Sequence, residues 1–420
     1  MAPNKSYIYL HKVEGANGIN SNKYYEMKAD ASGSTWTATY GREGAAKPAT
    51  ETYPMSKWED KYKEKIGPRK GYTDVTAFKS VAKPVASVKD SKGQIISTDA
   101  EVVRLVNLLQ SYANVATAAS YKVEAKSVTQ AQIDAAQKQI DNIANAVKKY
   151  YGSPTWNIDN FNKALTQLMI IIPRKMKKVA DHLMKPGVDK KTLTALIDAE
   201  QDLLDSMASQ VTAQTATDDS TDTKNDVQTT LLEALGLTMR IANDKEFNDA
   251  KRLATNHKNR INKVYVVTNK ATQTLFDANM KAADDKKTLT LWHGSRRQNW
   301  WFILQQGLKI RPSGAVHTGS MFDDGVYFAS DDDKSMGYTD GGRWVNGGNS
   351  GKTYMALYEV RVGKQLVKHQ HDSSCYTISK TVKSNGYDSV HAKAGPSLRK
   401  DEFIIYNHNQ STIKYLVEFN

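Results

Sequence analysis

The sequence predicts a multidomain α+β protein: a small β-rich domain, an all-α helical bundle, and a mixed α/β domain with central antiparallel sheets. Three observations carry this. Polar and aromatic residues alternate over residues 5 to about 80, the period of half-buried strands. Apolar residues then recur in steps of three and four from Thr98 to about Val211, the period of amphipathic helices. From residue 226 to Asn420, β-branched and aromatic runs are interspersed with helical stretches. The expected divisions are 1–82, a linker at 83–97, 98–217 and 226–420.

In the first segment, Lys23–Lys28 and Ser34–Tyr40 read as the arms of a hairpin, with Asp30-Ala31-Ser32-Gly33 as its turn. Tyr40-Gly41-Arg42-Glu43-Gly44 then breaks the second arm with glycines. A helix follows around Ser56–Tyr62 and closes at Gly67-Pro68. The Lys-, Ser- and Val-rich stretch around Lys83-Pro84 reads as the linker.

In the helical segment, Thr129 to Gln132 has the form of a capping box. Behind it Ile133, Ala136, Ile140, Ile143 and Val147 make an apolar stripe. A second stripe, Phe161, Leu165, Leu168, Met169 and Ile172, stops at Pro173. A third carries Leu193, Leu196, Ile197, Leu203, Leu204 and Met207. Short connections between such helices make a bundle, and its stripes are mostly core. Thr215–Asn225, rich in Thr and Asp, reads as a flexible loop. Beyond it, Val264–Val267, Met355–Val360 and Tyr415–Phe419 are strand candidates.

Composition bounds the function. Hydrophobic residues at 40% and charged residues at 25% are ordinary for a soluble globular chain. The single Cys375 excludes an intrachain disulfide framework and a thiolate zinc site, and no metal is expected. No apolar run approaches the ~20 residues that span a bilayer, so no membrane partner is expected, and the start of the chain lacks a signal peptide's apolar core. An intracellular protein is expected: nuclear in a eukaryote, in the cytoplasm or nucleoid if bacterial or viral. The net charge of +13 favours polyanions, nucleic acid above all, although a basic surface also solubilises.

Three runs in the last segment each place one polar group where a buried strand would not choose it. They are Leu291-Trp292-His293-Gly294-Ser295, Gly325-Val326-Tyr327-Phe328-Ala329-Ser330, and Asp401-Glu402-Phe403-Ile404-Ile405-Tyr406. Taken singly, His293 reads as a core histidine, Tyr327 as packing and Glu402 as an edge-strand charge more readily than as functional groups. Together they describe a cleft lined by strand ends.

In order and flanks these runs resemble the His-Tyr-Glu triad of the poly(ADP-ribose) polymerases, which bind and split NAD+. Tyr40-Gly41-Arg42 within its hairpin and helix resembles a WGR domain, with Tyr40 in place of the name-giving Trp. The stretch from Lys126 to Met207 resembles the regulatory helical domain of the DNA-dependent members. The resemblance thus implies a compact layout of WGR-like domain, helical domain and ADP-ribosyltransferase domain. Its activity would be that of a DNA-break-activated transferase that modifies itself and other proteins.

For the site, the resemblance implies catalytic His293, Tyr327 and Glu402. His293 would bond the adenosine ribose, and Glu402 would orient the nicotinamide ribose and activate an acceptor. The NAD+ site would comprise His293, Gly294, Ser295, Lys309, Tyr327, Phe328, Ala329, Lys334, Ser335 and Tyr338. In it the Gly294 main chain and the Lys334-Ser335 pair grip the carboxamide while Tyr327 and Tyr338 sandwich the ring. Met321 joins Glu402 on the acceptor side. Tyr40, Gly41 and Arg42 would meet DNA. Asp198, Gln201 and Asp205 would line the regulatory helix face. Departures are Ser320 and Lys400-Asp401, where Tyr and Tyr-Asn are usual, and a Gly-rich loop with Arg343 and Trp344. They bear on acceptor choice and polymer length. The alternatives are a mono-ADP-ribosyltransferase, or a catalytically silent DNA-end binder that would have lost His293 or Glu402.

Overall fold

The computed structural model describes residues 6–15, 19–79, 96–220, 230–310, 321–340 and 351–420. Nearly all of the expected linker, Ser320, Arg343 and Trp344 lie outside them. The chain divides into two compact units: residues 1–90 with 117–204, and residues 91–116 with 205–420.

In the first unit the alternation folds into β1 (Tyr7–Glu14), β2 (Ser21–Ala29), β3 (Thr35–Arg42) and β4 (Ala49–Pro54), followed by α1 (Trp58–Ile66), β5 (Thr73–Asp74) and α2 (Thr76–Lys79). The sheet order is β4-β3-β2-β1-β5. The expected hairpin is β2–β3, and Gly33 turns it at φ 66°. β3 continues through Gly41 and Arg42; the break falls at Gly44, whose φ of 72° a side chain would resist. The helix packs Trp58 edge-on against Trp36 at 5.3 Å, over Ile8, Leu10 and Met27.

The helical period gives α3 (Ala100–Ser120), α4 (Gln130–Tyr150), α5 (Ile158–Ile171) and α6 (Lys190–Ser220). The Thr129–Gln132 capping box is present in full, and Asn157 caps α5. α6 runs on through Thr215–Ser220, so this part of the expected loop is helical; 221–225 lie outside the described residues. Extending an existing helix adds one bond per residue, and the Thr215 hydroxyl donates back to the Val211 carbonyl.

The second unit takes in the first part of α3, whose Val102, Leu105, Val106 and Leu109 enter a core with Tyr265, Leu291, Trp300 and Trp301. Asp99 caps that helix by accepting from the Glu101 and Val102 amides. Next come α7 (Leu231–Ala234), β6 (Leu237–Ile241), α8 (Asp244–Leu253), β7 (Ile261–Asn269), α9 (Lys270–Ala282), β8 (Thr288–Gly294) and α10 (Trp300–Gln306). The rest of the unit is β9 (Val326–Phe328), α11 (Asp332–Met336), β10 (Thr353–Arg361), β11 (Gln365–Lys368), α12 (Ile378–Ser384), β12 (Ser389–Ala392), β13 (Glu402–Ile405) and β14 (Ser411–Phe419).

These strands make two sheets, β6-β7-β14-β10-β8 and β11-β12-β13-β9. The described pairings are antiparallel, as expected of central antiparallel sheets, with one parallel pair, β11–β12, at the edge of the second sheet. The sheets join where Trp292 and Ala329 exchange two main-chain hydrogen bonds, at 2.8 and 3.0 Å. At the far end of β14 the buried Glu418 carboxylate accepts from Lys352, Arg104 at 2.9 Å, Asn262 at 2.6 Å and Tyr354 at 3.0 Å. No described helix is long and apolar enough to cross a membrane.

Candidate active site

The sheet junction brings three strand ends together. His293 and Gly294 close β8 opposite Ala356 and Met355 of β10. Tyr327 pairs with Ile404, and Phe328 with Phe403, so continuing that register sets Glu402 beside Ala329. The junction therefore brings the ends of β8, β9 and β13, which carry His293, Tyr327 and Glu402, close together.

His293 Nδ1 lies 3.0 Å from the Tyr327 carbonyl, which can only accept, so the proton sits on Nδ1. The ring is ringed edge-on by Trp300, Phe328 and Tyr358 at 5.8–6.5 Å. Burial there holds the imidazole below its ordinary pKa, with the carbonyl bond opposing more weakly. The ring is neutral at pH 7, and its Nε2 carries a lone pair. Gly294 abuts the Ser335 main chain so closely that a Cβ would sit 1.9 Å from the Ser335 oxygen. No other residue fits without moving α11.

α11 carries Lys334 and Ser335, with Tyr338 just beyond its end, and three successive acids lock it. Asp331 accepts from the Asp333 amide, from Asn256 and from Lys400 at 2.7 Å. Asp332, fully buried, accepts from the amides of Thr255, Asn256 and His257 and from the Thr255 hydroxyl. Asp333 faces His257 Nε2 at 3.3 Å. Helix position is thus fixed from its first turn, where acids also suit the helix dipole.

Lys334 Nζ meets Glu402 Oε1 at 2.7 Å. Glu402 is 3% exposed, and its Oε2 is buried without a partner among the described residues. Burial raises its pKa, and the Lys334 charge only partly opposes this. Tyr338, half-buried just past α11, is pushed up to about 12 by desolvation first and then by the Glu402 charge. A carboxylate so placed is short of one hydrogen bond, and a ligand hydroxyl could supply it.

Tyr327 lies on the same face of the second sheet as Glu402, partly buried against Phe322, Ile404 and Tyr406. Its hydroxyl donates to the Asp323 carbonyl at 2.7 Å and accepts from the Phe322 amide at 3.0 Å. It thereby holds the turn that presents Met321. Asp323 sits there at φ 63°, strained for a residue with a Cβ, and Ser379 binds its carboxylate.

The remaining expected residues fall as follows. Ser295 accepts from Asn299 at 3.2 Å. Phe328 and Ala329 are buried in the junction. Lys309 lines a separate shallow cavity with His408, Gln306 and Tyr358; there burial first and Lys309 second hold His408 below its ordinary pKa. In the first unit, Tyr40 stacks on Tyr25 at 5.5 Å and donates to Glu51. Arg42 donates to the Lys177 carbonyl at 2.7 Å. Gly41 has room for a Cβ, with Ala45 and Pro48 at 3.7 Å. Gln201 exchanges two hydrogen bonds with Gln137 of α4, while Asp198 and Asp205 are half-buried elsewhere along α6. Sequence reasoning missed Asp331–Asp333, Lys400 as an ion-pair partner, His391 and Tyr358; the run of three Asp before Lys334 was the one visible signal.

A family profile described as the poly(ADP-ribose) polymerase catalytic domain matches residues 244–420. A putative poly [ADP-ribose] polymerase-like protein, 100L of Invertebrate iridescent virus 6, is 35% identical over 159 residues, which is 37% of this chain and 83% of the relative. The uncharacterized protein 101L of the same virus is 32% identical over 192 residues, 46% of this chain and 73% of the relative. Poly [ADP-ribose] polymerase 2 of Homo sapiens is 32% identical over 162 residues, 31% of this chain but only 27% of that protein.

Proposed function

The chain belongs to the poly(ADP-ribose) polymerase family, and from that premise we propose that it transfers ADP-ribose from NAD+ to acceptor hydroxyls, extends the product into a polymer, and does so in response to DNA breaks. An ADP-ribosyltransferase activity follows from the family; polymer formation and DNA control are the further reading.

The observation that carries the reading is the buried Lys334–Glu402 pair with its unpartnered Oε2. Breaking the nicotinamide–ribose bond sends the bonding electrons to the ring nitrogen, which leaves neutral, and builds positive charge on the ribose. Glu402 offers an anion for that charge, and Oε2 can accept from a ribose or acceptor hydroxyl. The acceptor oxygen then bonds to the ribose carbon, and its proton passes to Glu402. The Gly294 main chain and Ser335 are the candidate partners of the carboxamide, held side by side because Gly294 has no Cβ. Tyr327 and Tyr338 supply aromatic faces, and His293 a neutral ring for the adenosine ribose.

DNA activation is supported by the +13 charge and by the partly exposed Tyr40 on the sheet of the first unit. Tyr40 could stack on a terminal sugar or base, and Arg42 braces the segment at Lys177. Incubation with labelled NAD+, with and without nicked DNA, tests the whole. Long ladders that need DNA support it. Single additions would make the protein a mono-ADP-ribosyltransferase, and equal activity without DNA would remove the regulatory half. Within that assay, Tyr40→Ala is expected to lose DNA binding and stimulation together, and Arg42→Ala to lose mainly stimulation.

A further inference from the structure

Glu402 is the first residue of β13, and strand ends are where pairing opens most readily. Its carboxylate is buried with one oxygen unpartnered, so swinging out to water would relieve a desolvation cost. Lys334 holds only the other oxygen. The chain immediately before Glu402 must therefore resist that movement.

Two side chains there are held from outside the strand. Asp401 accepts from His391 Nε2 at 2.6 Å and from the Ala394 amide at 2.8 Å, which closes the β12–β13 connection on itself. The His391 ring lies flat on Phe403, centroids 4.3 Å apart. Lys400 reaches Asp331, the residue that caps α11. His391 and Phe403 face each other across the ladder, and so do Ala392 and Glu402. Side chains alternate along strands, so the His391 clamp grips the face away from the Glu402 carboxylate. It touches none of the reacting groups.

We propose that His391 and Lys400 are positioning residues: acting through Asp401 and Asp331, they hold the end of β13 so that the Glu402 carboxylate stays buried beside Lys334. The role rests on reading Glu402 as the carboxylate that acts on the acceptor. Two ion pairs, Lys400–Asp331 and Lys334–Glu402, then tie α11 to β13 on either side of Asp401, and the histidine fixes the residue between them.

The test uses the full chain with His391→Ala, His391→Gln and Lys400→Met, each checked for folding by its thermal melt. For each, kcat and KM for NAD+ are measured, and the Glu402 carboxyl is titrated by carbon-13 NMR. His391→Ala and Lys400→Met are expected to lower kcat roughly tenfold to a hundredfold with KM little changed, as misplacement of a reacting group does. In both, the Glu402 titration is expected to fall back towards that of an ordinary glutamate. His391→Gln, which keeps a donor for Asp401, is expected to restore most of both. If His391→Ala fails to fold, Lys400→Met carries the same test, since its side chain is partly exposed. A Glu402 titration that does not move in the folded variants overturns the proposal whatever the activity does. If the titration moves but Glu402→Gln keeps full activity, the positioning stands and the catalytic reading of Glu402 is what fails.

Discussion

Glu402 and Glu418 lie in consecutive strands of different sheets, both almost wholly buried, and they are handled in opposite ways. Glu418 receives four donors, and its pKa is held at about 2 because those donors outweigh burial. Glu402 receives one cation, keeps an oxygen without a partner, and has its pKa raised by burial. One site spends its charge on holding α3 and three strands together. The other keeps one oxygen without a partner among the described residues, which stability alone would not favour. The contrast separates a structural carboxylate from one kept ready for a substrate.

The largest expected effect breaks the comparison if it is absent. Glu402→Gln keeps the volume and removes the anion, so kcat should fall by roughly a hundredfold to a thousandfold while NAD+ affinity changes little. Quantifying polymer and measuring NAD+ binding on the same preparation checks both halves. Wild-type polymer from this variant would mean that Glu402 is as structural as Glu418.

Glu418→Gln should do the reverse. A carboxylate depressed from 4.5 to about 2 contributes stability that is fully present above 4.5 and is lost as pH falls towards 2. By that measure the substitution costs roughly 3 kcal/mol at neutral pH, and activity per folded molecule should hold. Chemical denaturation at pH 7 and pH 3 measures it; the penalty should shrink at the lower pH.

The sign inverts at Glu402. Its raised pKa means that ionisation costs the folded state, so stability declines as pH rises from 4.5 through the folded value. On that ground Glu402→Gln should melt slightly higher than wild type at pH 7.5, with the gain vanishing below pH 4.5. A lower melting temperature at pH 7.5 would show that the Lys334 pair outweighs burial.

The smallest effect sharpens what surrounds Glu402. Tyr338→Ala should weaken benzamide-type inhibitors by about 0.5–1.5 kcal/mol, the contribution of one stacked ring face. An unchanged inhibition constant would place Tyr338 outside the ring pocket.

Much of this was readable before any coordinates. β8, β9 and β13 coincide with the runs at 291–294, 326–328 and 402–405, because β-branched and aromatic residues mark strands locally. The Thr129 cap and the halt before Pro173 were equally local. What escaped was set by distance in sequence. Nothing near Glu418 announces Arg104, which lies on α3, 314 residues earlier in the chain. His391 and Asp401 find each other only once β12 and β13 pair. Gln201 shares the sequence spacing of Asp198 and Asp205, yet its amide is matched to Gln137 of another helix, a partner no spacing reveals. Thr215–Ser220 was misjudged because composition argued for a loop while an established helix simply continued.

The Trp292–Ala329 junction is made by peptide groups alone. Any residue but proline can supply them, so the spacing between the two halves of the cleft is indifferent to what the side chains around it become. Substitutions of the side chains around it therefore leave this main-chain link itself available. Changes in acceptor or regulation would then be sought first in loops and flanking segments rather than at this main-chain link.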